Sequence, residues 1–257
     1  MTKTPSGFIW YELITSDVAA ATKFYGDVVG WTVEDAGQSG MDYRQLKMGE
    51  HYVGGLMALP QGADQTGMRP MWLGYVSVDD LPAAMSSLTA AGGKVHMPAT
   101  EVPGVGSFAM VSDPQGALFY IMQPIGGEPS VSFMPPMPGH AGWNELHTSD
   151  WEAGFTFYAD QFGWGKSETL DMGGMGTYLL FNAGGDAVGG MMTDTNSPQP
   201  MWSYYICADN IDTAAARVTG AGGSILFGPS AVPGGGWIIN AVDPQGAMFS
   251  LTGPRLT

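Results

Sequence analysis

FIWYELITSD occupies residues 8–17 and AGWNELHTSD occupies residues 141–150. Aligned without a gap, the two stretches share Trp10/Trp143, Glu12/Glu145, Leu13/Leu146, Thr15/Thr148, Ser16/Ser149 and Asp17/Asp150. Each reads as a strand closed by an aspartate in the N-cap position of a following helix. The second copy carries His147 where the first carries Ile14.

The repeat continues outward. DVAAATKFYGDVVGW (17–31) answers DWEAGFTFYADQFGW (150–164), with Ala20, Phe24 and Val28, or Ala153, Phe157 and Gln161, at helical spacing before a Gly-Trp stop. Tyr43 to Met57, ending VGGLM, matches Tyr178 to Met192, ending VGGMM. PMWLGYVSVDD (70–80) matches PMWSYYICADN (200–210), and VSDPQGALFYIM (111–122) matches AVDPQGAMFSL (241–251). Each half therefore reads strand, helix, three strands, and then the same order again. The chain is an α+β tandem repeat of four βαβββ modules. Residues 126–142, rich in Gly and Pro, read as a linker between a first domain, 1–125, and a second, 143–257. The halves are expected to share an interface within one chain.

The 257 residues carry 9 Lys+Arg against 24 Asp+Glu, a formal net charge of -15, which repels phosphate backbones and anionic membrane surfaces. Nucleic acid and membrane are accordingly excluded as expected partners, and 8 Trp, 10 Tyr and 11 Phe mark a chain that folds. One cysteine, Cys207, makes no internal disulfide, and the N-terminal residues carry no long apolar core before a cleavage site. The expectation is a cytoplasmic protein, monomer or homodimer, with a small-molecule ligand.

The strand ending in Thr-Ser-Asp, the helix with Phe-Tyr, the Gly-Trp stop and the Asp-Pro-Gln-Gly turn together resemble the vicinal oxygen chelate superfamily, the glyoxalase, bleomycin-resistance and dioxygenase proteins. The resemblance covers nearly the whole chain, twice, and implies two tandem glyoxalase-like domains with cup-shaped mixed sheets. It also implies a divalent metal held in each cup by histidines on first strands and glutamates on last strands. Those histidine positions fall here on Trp10, Leu73, Trp143 and Ser203, and the glutamate positions on Tyr120, Ser250 and the glycines 54–55 and 189–190. With neither imidazole nor carboxylate there, no metal and no other cofactor is expected.

What remains is an aromatic lining with a few polar groups, suited to a neutral, flat or aromatic molecule: Trp10, Glu12, Tyr75, Tyr120, Trp143, Ser203, Tyr205, Trp237 and Ser250. The VGG runs leave room either for a ligand or for a close neighbour. The second half is the more polar. Residues i and i+2 of a strand share a face, which puts Glu145 beside His147 as the candidate proton-transfer pair of a metal-independent lyase or isomerase. Pure ligand binding is the competing reading, and a metal-dependent lyase or dioxygenase with displaced ligands (Glu12, Glu145, His147) is the alternative. Cys207 reads as an inert small hydrophobe.

Overall fold

The computed structural model describes residues 6–37, 42–63, 67–126, 129–196 and 199–256. Residues 1–5 of the N-terminal reading and residues 127 and 128 of the expected linker lie outside the described residues. The first module is β1 (Phe8–Thr15), α1 (Val18–Val29), β2 (Thr32–Asp35), β3 (Tyr43–Met48) and β4 (His51–Ala58). The second is β5 (Met71–Ser77), α2 (Leu81–Ala90), β6 (Lys94–Val102), β7 (Gly106–Ser112) and β8 (Leu118–Pro124). The third is β9 (Ala141–Thr148), α3 (Trp151–Phe162), β10 (Gly165–Asp171), β11 (Thr177–Asn182) and β12 (Ala187–Thr193). The fourth is β13 (Met201–Cys207), α4 (Ile211–Gly220), β14 (Ser224–Ala231), β15 (Trp237–Val242) and β16 (Met248–Gly253).

Local chemistry places the helices. Asp17 and Asp150 accept from the backbone N–H groups of Ala20 and of Glu152 and Ala153, and Gly30 and Gly163 end their helices at φ 89° and 72°. The buried stripe of α1 starts at Val18 and Ala21 rather than at the expected Ala20, and in α3 Gly154 is buried while the expected Ala153 is exposed. The physical reason at Gly154 is space: a Cβ there would already touch Gln115, Leu146 and Thr148.

Two eight-stranded mixed sheets form, one per sequence half, in the orders β2-β3-β4-β1-β5-β8-β7-β6 and β10-β11-β12-β9-β13-β16-β15-β14. Within a module the first strand runs parallel to the last, setting Glu12 opposite Gly55, Tyr75 opposite Tyr120, Glu145 opposite Gly190 and Tyr205 opposite Ser250. Parallel partners need a crossover, which the helix supplies.

The contacts divide the chain into two compact units, and each draws on both sequence halves. One comprises Met1–Ile9, Gly74–Pro129 and Asn144–Trp202; the other comprises Trp10–Leu73, Ser130–Trp143 and Ser203–Thr257. In the first unit the hydroxyl of fully buried Tyr158 donates to Asp113 Oδ2 at 3.2 Å and accepts from Trp202 Nε1 at 2.9 Å. The other oxygen, Asp113 Oδ1, accepts from the N–H groups of Gln115, Gly116 and Ala117. The second unit repeats the arrangement with Tyr25, Asp243 and Trp72. In both, a helix tyrosine of one half is stapled to the Asp-Pro-Gln-Gly turn of the other. Aromatic packing surrounds the staple: Tyr158 stacks on Trp164 at 5.0 Å, and Phe8 meets Trp164 and Trp202. The halves thus share cores inside each unit.

The Gly/Pro segment before β9 is tied down. Met134 N–H donates to the Ala141 carbonyl, Ala141 N–H donates to the Ser132 carbonyl, and β9 starts at Ala141, inside the expected linker. No helix among the described residues is long and apolar enough to cross a membrane.

Candidate functional site

Along β9 the residues alternate. Asn144, Leu146 and Thr148 are buried at 1%, 0% and 1% exposure, so Glu145 and His147 turn to the opposite face, where they are half-buried. On that face four side chains of the first unit form a chain of contacts. Tyr178 Oη donates to Glu145 Oε2 at 2.5 Å; His147 Nε2 lies 2.8 Å from Glu145 Oε1; and His147 Nδ1 lies 3.3 Å from Asp194 Oδ2. Glu145 and His147 come from the sequence reading; Tyr178 and Asp194 do not. Tyr178 had a signal in its alignment with Tyr43, whereas Asp194, one residue past β12, repeats nothing in the first half.

Tyr178 reaches Glu145 because β12 offers no side chain beneath it. A Cβ on Gly190 would strike the hydroxyl end of Tyr178, at Cζ and Oη, and one on Gly189 would strike the Asn144 carbonyl and the Phe181 ring. The first half shows the same device in the second unit. Tyr43 lies over Gly55, and its hydroxyl accepts from Trp10 Nε1 at 2.9 Å. At Gly55 and Gly190 the VGG room is therefore filled by a neighbouring tyrosine; Tyr43 accepts from the Trp10 indole, and Tyr178 donates to the Glu145 carboxylate.

Burial is the largest influence on His147 and pulls its pKa down, but the hydrogen bond and charge of Glu145, followed by those of Asp194, outweigh it and leave the imidazole raised above its ordinary value. A raised native pKa means that the folded state binds the proton more tightly than the unfolded chain. The stabilisation from His147 is then fully present below the unfolded value of about 6.5 and is lost as pH rises through the raised native value. The stability difference between wild type and His147→Gln, read from urea midpoints, should therefore be largest near pH 5–6 and shrink toward pH 9. A difference that grows with pH contradicts the ion-paired geometry.

The other residues singled out by sequence distribute as follows. In the first unit Tyr75 and Tyr120 are buried and stack at 4.3 Å, with Phe108 edge-on to Tyr120. In the second unit Trp10 is half-buried and Glu12 is buried. Trp143 is half-buried on β9, and Ser203 and Tyr205 share a face of β13, with Tyr205 opposite Ser250. Trp237 carries the Arg255 guanidinium over its ring at 4.3 Å. Cys207 lies against Gly142, and burial pushes its thiol up to about 11, as suits an inert hydrophobe. His51 and His140 meet at 2.9 Å, and His140 is buried.

The residues present do not fit the divalent metal that the fold resemblance implies. The strand positions that the resemblance assigns to metal ligands hold Trp10, Leu73, Tyr120, Trp143, Ser203, Ser250 and the glycines 54–55 and 189–190, none with a carboxylate or imidazole. Leu73 is buried and Tyr120 is stacked. At His147 both ring nitrogens point to carboxylate oxygens, so a cation there would have to displace those contacts. Among the described residues no group of three or more His, Cys, Asp and Glu is arranged to hold a metal ion.

Comparison with known proteins agrees with the fold. The profile of the Glyoxalase/Bleomycin resistance protein/Dioxygenase superfamily matches residues 7–121 and again 139–251. CFP32 of Mycobacterium tuberculosis (strain CDC 1551 / Oshkosh), provisionally named a glyoxylase, is 31% identical over 249 residues, 95% of this chain and 94% of its own. Anthracycline biosynthesis protein DnrV of Streptomyces peucetius is 30% identical over 260 residues, 96% of this chain and 93% of its own. Among solved structures, the Mn(II)-bound glyoxalase from Novosphingobium aromaticivorans superposes with a TM-score of 0.65 at 19% identity, over 98% of this chain and 82% of that one. That identity speaks for fold alone. With its profile matched twice and its repeats accounting for both sheets, the chain belongs to the glyoxalase/bleomycin resistance protein/dioxygenase superfamily.

Proposed function

We propose that this protein binds a neutral, flat or aromatic small molecule and transfers a proton on it without a divalent metal, as a lyase or isomerase, using Glu145 and His147 with Tyr178 and Asp194. The observation that carries this reading is the His147 ring held between Glu145 and Asp194, with the Tyr178 hydroxyl on the remaining Glu145 oxygen. An imidazolium so placed fixes the Glu145 carboxylate and balances its charge. Tyr178 supplies a hydroxyl that can turn from Glu145 to a substrate oxygen.

In the step we envisage, Glu145 Oε2 takes a proton from a carbon next to a carbonyl while Tyr178 donates a hydrogen bond to the carbonyl oxygen. The electron pair of the broken C–H bond moves into the enolate. Return of the proton to a different carbon gives an isomerase; expulsion of a group on the next carbon gives a lyase. The name of DnrV, an anthracycline biosynthesis protein, supports the flat aromatic class, since anthracyclines are fused-ring molecules. The first-half positions Ile14 and Leu73 are apolar and buried, and they support assigning the chemistry to the second half.

The test uses 2-tetralone, a flat bicyclic ketone with exchangeable carbon-bound protons, in D2O with NMR detection. Wild type should accelerate the exchange, and Glu145→Gln should lose on the order of a hundredfold of that acceleration, the usual worth of a positioned base. Exchange no faster than buffer, or equal in Glu145→Gln, reduces the protein to a binding role. A stoichiometric, tightly held divalent metal whose removal abolishes exchange overturns the metal-free reading.

A further inference from the structure

One row of residues differs between the halves in a way that the proton-transfer cluster does not explain. In the first unit Tyr75 pairs with Tyr120 and Tyr120 with Met110, while Phe108 pairs with Met122 one step along. Paired residues on neighbouring strands share a face, so three rings and two thioethers occupy one surface. They fill it: Tyr75, Tyr120 and Met110 are 4%, 3% and 8% exposed, and the two tyrosine rings are stacked.

The matching row in the second unit keeps the first tyrosine and replaces the rest. Tyr205 pairs with Ser250, Ser250 with Asn240, and Ile238 with Thr252. Tyr120 has become Ser250, Met110 has become Asn240 and Phe108 has become Ile238, so a stacked ring, a thioether and an edge-on ring are missing from the face. Polar groups stand in their place. On β15 Ile239 and Ala241 are fully buried on the opposite side, which puts Asn240 on the Ser250 face. The Asn240 side-chain oxygen is buried and, among the described residues, no hydrogen-bond donor meets it.

A buried acceptor without a donor is costly, and such groups are rare unless something else completes them. Simple packing offers a cheaper solution, which the first half displays as Met110. We infer that Ser250 and Asn240, beside Tyr205, form a subsite that reads a hydrogen-bond donor on the ligand: a hydroxyl carried by a flat ring, rather than an ether or a bare hydrocarbon edge. The ligand's O–H supplies the donor that Asn240 lacks, and Ser250 and Ile238 carry smaller side chains than the Tyr120 and Phe108 rings at the matching first-half positions. The inference rests on the reading that this chain binds a small organic molecule, but not on proton transfer.

Two measurements on the full chain test it. The first needs no ligand. Asn240→Met installs the first-half residue and removes an unsatisfied acceptor, so the melting temperature of the free protein should hold or rise. A clear fall means that Asn240 is already satisfied, and overturns the subsite. The second measurement compares 2-naphthol with 2-methoxynaphthalene by thermal shift and fluorescence titration. Wild type should bind 2-naphthol about tenfold more tightly than the ether, the size of one buried hydrogen bond, and Asn240→Met should erase that preference. Equal binding of the two compounds, binding of neither, or a preference that survives Asn240→Met each defeats the proposal. The two functional readings fail separately. Loss of 2-tetralone exchange in Glu145→Gln with hydroxyl preference unaffected by Asn240→Met leaves proton transfer standing and removes the subsite; the reverse pattern keeps the subsite and removes the chemistry.

Discussion

Asp113→Ala should lower the unfolding free energy by about 3–5 kcal/mol, the range for removing one partner of a buried ionic hydrogen-bonded group. Three turn N–H groups and the Tyr158 hydroxyl lose their acceptor at once, and the residue is 2% exposed, so little water can replace it. Asp113→Asn should cost roughly half as much. Its side-chain oxygen still serves the turn, while its amide faces a Tyr158 hydroxyl that already accepts from Trp202. Burial is the largest influence on Asp113 and, despite the hydrogen bonds, leaves its pKa raised. A raised native pKa binds the proton in the folded state, so the contribution is fully present below the unfolded value of about 3.9 and declines as pH rises through the native value. The gap between wild type and Asp113→Asn should consequently widen on acidification. Urea denaturation at pH 4 and pH 7 reads both effects. Asp243→Ala, with Tyr25 and Trp72, should repeat them in the second unit, and a loss under about 1 kcal/mol at either site would show the staple to be dispensable.

That staple explains why the fold is legible in this sequence. Phe-Tyr, Pro-Met-Trp and Asp-Pro-Gln-Gly recur at matching places because Tyr, Trp and Asp from distant modules must meet with hydrogen-bond geometry that few other residues satisfy. Gln115 belongs to the same set: its amide accepts from Asp150 N–H and Ser149 hydroxyl and donates to the Asp150 carbonyl, joining the turn of one half to a helix start in the other. Residues constrained from two sides repeat, and repetition is visible without a structure.

The site is legible only in part, for the converse reason. Glu145 and His147 stand two apart on one strand, so local periodicity suffices to pair them. Asp194 lies 47 residues beyond His147 and reaches it only because β12 runs parallel to β9, setting Met192 opposite His147 and Thr193 opposite Thr148. Asn240 is hidden similarly: its meaning depends on Ser250 being its partner and on Met110 being its counterpart. The VGG runs keep both readings open in sequence, since absence of a side chain looks the same whether a ligand or a tyrosine fills the space.

Gly190→Ala should therefore damage function far more than its single methyl suggests. The added Cβ would clash with Tyr178 Cζ, Cε1 and the hydroxyl oxygen, so the ring must swing aside and its hydrogen bond to Glu145 must break. The expected cost is ~1–3 kcal/mol of stability from overpacking. A loss of 2-tetralone exchange close to that of Glu145→Gln should accompany it. Gly55→Ala is the matched control: Tyr43 is displaced in the same way and stability falls similarly, but the hydrogen bond that breaks is the one from Trp10, and exchange should persist. A double-mutant cycle separates ring displacement from general strand damage. In a Tyr178→Ala background the obstacle is gone, and adding Gly190→Ala should cost less than it does in wild type by about 1 kcal/mol or more. Gly189→Ala should receive no such relief, because its Cβ strikes the Asn144 backbone carbonyl and Phe181 instead. Were Gly190→Ala to cost the same with and without Tyr178, its clash would be with the strand and not with the tyrosine. The glycine would then have no part in aiming Tyr178 at Glu145.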